Sequence, residues 1–326
     1  MAFSSVMGQP AAIERIKACL SAKRVPPGIL FCGPSGVGKM LAAREMAKAL
    51  MCDGGMFGAQ EDGGCGECIN CRQVDKGVHP DLVIVDTNFQ AQLREEEAEE
   101  QKHLRVETMR SVLEMAQRKA SGGWKVIIVD HAETMLSQAQ NSLLKLLEEP
   151  PPETLWILLA EKREDMLPTI LSRCQTMRFA PLSDEALSEI LVQQGCAMDE
   201  AQKLCPLAGG SVSRALRIRE LLEDFSALDP LSPLYPFRAA ATLPRELADA
   251  RKDAALIIEL LEQALLARWR RESRPRMRDD MKRAMTHVLS CREYINRNVS
   301  PSITLEAALL ETARFKLNIF DPPTGQ

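Results

Sequence analysis

Residues 28–50 constrain this chain more than any other stretch. The apolar run Gly28-Ile29-Leu30-Phe31-Cys32 leads into Gly33-Pro34-Ser35-Gly36-Val37-Gly38-Lys39-Met40. A helix-forming run, Leu41-Ala42-Ala43-Arg44-Glu45-Met46-Ala47-Lys48-Ala49-Leu50, follows. Strand, glycine loop and helix in that order are the setting of a phosphate-binding loop. The glycines let successive backbone N–H groups turn toward one anion, and the helix adds its positive N-terminal end. Lys39 is placed to reach the terminal phosphates of a nucleotide such as ATP. The pattern departs at its last position. A Ser or Thr hydroxyl belongs there to hold Mg²⁺, and Met40 offers a thioether, a poor ligand for a hard cation.

The chain has 326 residues, too many for one ordinary core, so two or three domains are expected. Three are read here: 1–180 around the loop, 181–224 after Pro181-Leu182-Ser183, and 225–326 beyond a Pro-, Leu- and Ala-rich linker at 224–244. A net charge of −4 excludes a surface that attracts nucleic acid all over, so any such contact is local. There is no membrane-length apolar run and no signal-peptide pattern, which gives a cytoplasmic protein with no membrane partner as the expectation.

Four of the ten cysteines fall close together: Cys52, then Cys65, Cys68 and Cys71. Two consecutive Cys-x-x-Cys steps let three thiolates converge from one tight loop, and Cys52 supplies a fourth corner. Four thiolates suit a structural Zn²⁺ and leave no open position for catalysis. A redox pair would need a thioredoxin-like βα setting, which is missing. Gly54, Gly55, Gly58, Gly63 and Gly64 make the intervening segment pliable. Cys19, Cys32, Cys174, Cys196, Cys205 and Cys291 are scattered and read as small core residues.

Further along, His79-Pro80-Asp81 leads into the strand-like Leu82-Val83-Ile84-Val85, with His79 read as a turn residue and not as a further metal ligand. Residues 88–102, with an acidic run at 95–100, read as a solvated, mobile loop. Val106, Met109, Leu113 and Ala116 mark one helix face, closed by Ser121-Gly122-Gly123. Trp124-Lys125-Val126-Ile127-Ile128-Val129-Asp130 is a buried strand ending in a carboxylate. Such an Asp faces a phosphate loop across the sheet edge and orients a Mg²⁺ shell. His131 follows it, and Glu133 is expected to open the next helix and point elsewhere. A helix from Ser137 to Glu149 stops at Pro150-Pro151-Pro152. Leu155-Trp156-Ile157-Leu158-Leu159-Ala160 and Met177-Arg178-Phe179 are further strands. Strands alternating with helices argue a parallel sheet covered on both faces. Three helices are expected over 184–223, with Ser183 as an N-cap, and helices throughout 245–326, broken at Pro275 and Pro301. Residues 268–283 are rich in arginine. They read either as a nucleic-acid patch or as the wet face of a helix pair, and Glu272, Asp279 and Asp280 favour the second.

Taken in order, residues 33–39, the four-cysteine insert, His79-Pro80-Asp81, Asn141-Ser142-Leu143-Leu144-Lys145-Leu146-Leu147-Glu148-Glu149-Pro150-Pro151 and Ser172-Arg173-Cys174 resemble the clamp-loader branch of the AAA+ ATPases. Asn298-Val299-Ser300-Pro301 and Leu305-Glu306-Ala307 extend the likeness more loosely. The resemblance implies an AAA+ P-loop domain with a parallel sheet, a small helical lid and a helical collar. It implies a place in a five-subunit ring, beside motor and clamp-opening subunits, that loads a sliding clamp on primer-template DNA. Within that family, Ser-Arg-Cys carries an arginine finger, so Arg173 acts in trans on a neighbour's nucleotide. Read without the family, Arg173 caps its helix or pairs with a carboxylate.

The departures choose between a motor and a passive member. Met40 replaces the Mg²⁺ hydroxyl, and His131 replaces the Glu that orients the attacking water. Ala160 stands where motors carry a polar sensor, and Ser213, one place before Arg214, stands where they carry a sensing Arg. The expectation is a stator with little or no ATPase activity. The alternatives are an active motor-type ATPase and a nucleotide-binding module outside replication.

Overall fold

The computed structural model describes every residue except 1–2, 23–24, 55–62, 95–102, 122, 230–231, 298, 316 and 318–326. Gly55, Gly58, the acidic run at 95–100, Gly122 and Asn298 therefore lie outside the described residues. The chain forms two compact units, Met1–Ile190 and Leu191–Gln326.

The first unit is built on five parallel strands: β1 (Gly28–Cys32), β2 (Leu82–Val85), β3 (Lys125–Val129), β4 (Thr154–Ala160) and β5 (Gln175–Arg178), in the order β2-β3-β4-β1-β5. The central strands are apolar throughout because both sheet faces are covered. Successive side chains go to opposite faces. Ile29, Phe31, Val126, Ile128, Leu155 and Ile157 enter one core, with α1 (Pro10–Ser21) and α2 (Lys39–Met51). Leu30, Cys32, Ile127, Val129, Trp156 and Leu158 enter the other, with α5 (Val106–Gln117) and α6 (Ser137–Glu148). A register slip by one residue in β1 or β4 would exchange the two sets.

Short helices complete the unit: α3 (Ile69–Asp75), α4 (Thr87–Arg94), α7 (Pro168–Leu171) and α8 (Asp184–Gln193), whose last residues fall in the second unit. Ser183 does cap α8, accepting from the Ala186 N–H at 3.3 Å. Residues 87–94 are helical, against the loop expected from 88 onward. That helix is anchored by Gln90, which is fully buried. Its Oε1 accepts from Arg105 N and Thr108 Oγ1 at 2.7 and 2.8 Å, and its Nε2 donates to His103 O at 3.0 Å. On α5 the buried face uses Val112, while Leu113 is half-buried.

The second unit is helical: α9 (Met198–Ala208), α10 (Val212–Ser226), α11 (Tyr235–Ala240), α12 (Leu247–Arg271), α13 (Pro275–Asn296) and α14 (Pro301–Ala313). The breaks at Pro275 and Pro301 fall where the sequence places them, each at a first helical position that needs no N–H partner. The stretch read as a linker at 224–244 contains α11, which buries Pro236, Ala239 and Ala240. Leu221, Phe225, Ile257, Leu261, Val288 and Leu305 are central to this unit's main core. The six scattered cysteines are all buried, as expected. No described helix is long and apolar enough to cross a membrane.

Candidate functional site

The loop at 33–39 leaves β1 at the carboxyl end of the sheet. Gly33 N donates to Ala160 O at 3.2 Å, which ties the loop to the end of β4. A Cβ on Gly33 would lie 2.2 Å from Phe179 O, so only glycine fits beneath that strand exit. Gly36 and Gly38 have φ of 70° and 97°, in the left-handed region that glycine enters without strain. Gly38 caps α2. Gln9 holds the loop from outside: its Nε2 donates to Val37 O at 3.3 Å and to Ala180 O at 2.7 Å. Its Oε1 accepts from Ala180 N at 3.0 Å.

Lys39 bends back on this loop. Its Nζ donates to Gly33 O at 2.5 Å and to Pro34 O at 2.7 Å. Burial pulls its pKa below the ordinary lysine value, and the nearby charges of Glu161, Glu133 and Asp130 oppose that shift. Met40 is half-buried and packs against the core beneath the helix. It serves packing there, and a metal ion would find no hydroxyl at this position. The loop thus fits phosphate through glycine geometry and a helix N-terminus. It fits Mg²⁺ poorly, because Met40 offers no oxygen ligand.

Asp130 ends β3, as the sequence requires, and its Oδ1 accepts from the His131 N–H at 3.0 Å. His131 sits at φ 47°, ψ 49°, a left-handed conformation that disfavours any residue with a Cβ. Beyond this bend Glu133 lies in the short helical turn Ala132–Thr134. Its Oε1 meets His131 Nδ1 at 3.2 Å, and its carboxylate lies within the field of Lys39. The charges of Glu133 and Glu161 both act on Lys39; the sequence reading gave Glu133 no role and did not single out Glu161. No glycine announces the bend at 131, and Glu161 follows a strand end read only for Ala160. Ala160 is buried and pairs with Cys32, so its methyl presents no polar group at the expected sensor position.

Arg173 follows α7 on the surface. Its guanidinium is bonded to the Glu148 carboxylate, and Nη1 donates to Thr169 O at 3.0 Å and to Ser172 Oγ at 3.1 Å. It both caps its helix and pairs with a carboxylate. In the second unit Arg214 is engaged too, donating to Leu207 O at 3.1 Å and to Glu259 at 2.8 Å.

The four cysteines converge as expected. The Sγ atoms of Cys52, Cys65, Cys68 and Cys71 all lie within 4.8 Å of one another. The pairs Cys65–Cys71 and Cys52–Cys68 stand at 4.0 Å. A tetrahedron with metal–sulfur bonds of about 2.3 Å has edges of about 3.8 Å, so the cluster is positioned to bind a metal. Backbone N–H groups point at the sulfurs: Cys65 N to Cys52 Sγ, Glu67 N and Cys68 N to Cys65 Sγ, and Cys71 N to Cys68 Sγ, at 3.3–3.4 Å. The N–H groups of Cys68 and then Glu67 pull the Cys65 thiol down to about 6. Gly64 is required, because a Cβ there would lie 2.7 Å from Cys71 Sγ. His79 is not one of this set. It is buried, its Nδ1 accepts from Asp81 N at 3.1 Å, and its Nε2 is left to bond Asn70 Oδ1 at 3.3 Å. Asn70 Nδ2 reaches Asp53 at 2.7 Å, so His79 braces the cysteine loop against β2.

A phosphate loop between β1 and α2, an Asp at the end of β3 and a five-stranded parallel sheet followed by helices define an AAA+ protein. The chain belongs to the family described as "DNA polymerase III, delta subunit", whose model matches residues 8–183. It is 33% identical over 210 residues to the DNA polymerase III subunit delta' of Bacillus subtilis, a match covering 64% of this chain and 59% of that protein. It is 31% identical over 225 residues to the DNA polymerase III subunit tau of Escherichia coli, covering 67% of this chain and 32% of that protein. These matches span little more than half of the first relative and a third of the second. Among solved structures, a DNA polymerase III gamma subunit-related protein of Thermotoga maritima shares the fold with a TM-score of 0.55 at 17% identity. That likeness covers 94% of this chain and 99% of the other.

Proposed function

We propose that this chain is a clamp-loader subunit of the bacterial replicative DNA polymerase III, of delta' type. It acts mainly as a stator that supports ring assembly and donates Arg173 to a neighbouring ATPase subunit. Its partners in the cytoplasm are gamma/tau-type and delta-type subunits in a hetero-pentamer, and through them the sliding clamp and primer-template DNA. Residues 1–180 form the nucleotide domain, 181–224 the lid, and 225–326 the collar that assembles the ring. Zn²⁺ is the metal assigned to Cys52, Cys65, Cys68 and Cys71, where it would close the insert and leave no open coordination position.

The observation that carries the stator reading is Lys39, whose ammonium is spent on Gly33 O and Pro34 O beside a half-buried Met40 that offers no hydroxyl. If nucleotide binds, the backbone of residues 33–39 and Lys39 would hold its phosphates and Asp130 its cation. The bound Mg²⁺ would supply charge neutralisation at the phosphates. Arg173, two residues past the end of α7, offers a planar fork that matches phosphate oxygens two at a time.

A second reading, an active motor-type ATPase, draws on Glu133, a carboxylate three residues past Asp130 whose charge acts on Lys39. A steady-state ATPase assay separates the two. The purified chain alone is expected to show no turnover above background, and the reconstituted ring is expected to lose activity with Arg173→Ala. Mg²⁺-dependent turnover by the chain alone, abolished by Lys39→Ala, establishes the motor reading instead.

A further inference from the structure

The turn between α12 and α13 is crowded with cations. Residues 268–283 hold eight basic side chains against three acidic ones, in a chain whose net charge is −4. Two of the three acids are already engaged. Glu272 accepts from Arg274 Nε and Nη2, both at 2.9 Å, and Asp280 accepts from Arg283 at 2.5 Å. Arg268, Arg270, Arg271, Arg276 and Lys282 are exposed, with no acidic partner among the described residues.

Helix electrostatics accounts for only part of this. Arg268, Arg270 and Arg271 lie in the last turn of α12, where the carbonyl end of a helix favours cations. The first turn of α13 has the opposite polarity, yet it carries no acidic residue and holds Arg276 and Arg278. Cations there oppose the helix dipole, so helix electrostatics does not account for them. The corner is also rigid. The Arg278 guanidinium lies 4.3 Å over the Trp269 ring, and Trp269 and Met277 pack on Leu265, Met281, Ala284 and Phe315.

The surroundings narrow the partner. No large apolar side chain described between Leu247 and Leu289 is exposed. A helix that lies in a membrane surface needs such residues to insert, and a protein interface needs them as anchors. The one aromatic ring at the turn lies beneath Arg278, so none is offered for stacking unpaired bases. What remains is a fixed, arginine-rich array suited to phosphates displayed along a regular polyanion. We propose that this corner binds the phosphate backbone of a nucleic-acid duplex without reading its sequence. This goes beyond the clamp-loader reading, in which DNA is met through the assembled ring, and stands without it.

The test is fluorescence anisotropy with the full chain and a labelled DNA duplex of about 20 base pairs. Neutralising roughly four phosphates predicts an affinity that falls about 10²-fold between 50 and 200 mM salt. A second duplex of unrelated sequence should bind within twofold. Arg270→Ala, Arg271→Ala and Arg276→Ala together should weaken binding at least tenfold while leaving the thermal melt unchanged. A control pair on exposed positions of α5 and the segment after it, Arg110→Ala with Lys119→Ala, should leave binding within twofold. The proposal is overturned by an absence of wild-type binding at 50 mM salt, or by unchanged binding in the triple variant. Tighter binding to single strands or to phosphatidylserine vesicles than to duplex also overturns it.

Discussion

The carboxylate of Glu148, the last residue of α6, is bonded to the guanidinium of Arg173, two residues past the end of α7. Arg173 is further held by Thr169 O and Ser172 Oγ, so its own helix end fixes one edge of the fork and Glu148 takes the other. The side chains are 33% and 50% exposed. An ion pair so open to water contributes at most about 1 kcal/mol, so in the proposed ring a phosphate would displace the carboxylate at little expense.

Arg173→Ala is therefore expected to change the stability of the isolated chain by less than about 1 kcal/mol, read as its denaturant midpoint. In the reconstituted ring the same substitution should slow hydrolysis at the affected site on the order of 10³-fold, the lower range for an arginine supplied in trans. Arg173→Lys should rescue little, because a single ammonium does not reproduce the bidentate fork. Equal ATPase rates for wild type and Arg173→Ala rings would remove this residue from the mechanism.

Elemental analysis of the purified chain should find one Zn²⁺ per protein. Cys71 is fully buried, and Cys68 accepts the N–H of Cys71 at the start of α3. Cys68→Ser should reduce the zinc content below half and lower the thermal midpoint by about 5 °C or more, a loss of a few kcal/mol in a domain of this size. Chelation of the wild type should do the same. None of the four cysteines lies in a strand, so most of the far-ultraviolet circular dichroism of helices and strands should persist. Full stability in metal-free protein would count against a structural metal.

The His131–Glu133 pair predicts a pH signature. The hydrogen bond to Glu133 raises His131 above its ordinary 6.5, aided by the charges of Asp130, Glu133 and Glu161. Glu133 is held below its ordinary 4.5: burial works to raise it, and the His131 hydrogen bond, a backbone N–H and the charges of His131 and Lys39 outweigh burial. A raised base stabilises fully below its unfolded value and loses that contribution as pH climbs through the folded one. A depressed acid stabilises above its unfolded value and loses that contribution as pH falls through the folded one. The pair is thus strongest between pH 4.5 and 6.5. His131→Gly should destabilise most in that window, with the difference from wild type shrinking as pH rises above 6.5 through the raised folded value. At every pH His131→Ala should be less stable than His131→Gly by about 1 kcal/mol, because only glycine takes the left-handed turn freely. Denaturant titrations of the three proteins across pH measure both effects.

Much of this architecture is legible where chemistry leaves a local mark. The loop at 33–39 needs glycines for its backbone, doubly covered strands need unbroken apolar runs, and Pro275 and Pro301 mark helix starts. The cysteine cluster is legible because thiolates at that spacing have few other uses. What escapes the sequence is set by tertiary partners. Helix α4 is anchored by Gln90, a polar residue that looks exposed until its three hydrogen bonds to residues 103–108 are seen. Helix α11 buries mainly Pro236 and two alanines, too small a stripe to stand out from a linker. Glu133 follows a left-handed histidine, and nothing in the residue type of His131 signals that turn.

Restoring the missing hydroxyl tests how far the nucleotide site has drifted. Met40 is half-buried against the core that includes Val6 and Val37. Met40→Thr removes part of that packing and should lower stability by about 1 kcal/mol. In return it places an oxygen ligand at the first turn of α2, where Mg²⁺ in a P-loop site is held. Affinity for ATP should become Mg²⁺-dependent and rise about tenfold, equivalent to about 1.4 kcal/mol. Turnover should remain at background, because His131 occupies the position after Asp130 and no carboxylate directly follows it. Met40→Thr combined with His131→Glu supplies both parts, and Lys39→Ala in that background is the control. If Met40→Thr alone hydrolyses ATP, then Glu133 already orients water, and the stator reading gives way to a motor lacking one ligand. Isothermal titration with and without Mg²⁺, followed by single-turnover kinetics on each variant, separates binding from chemistry.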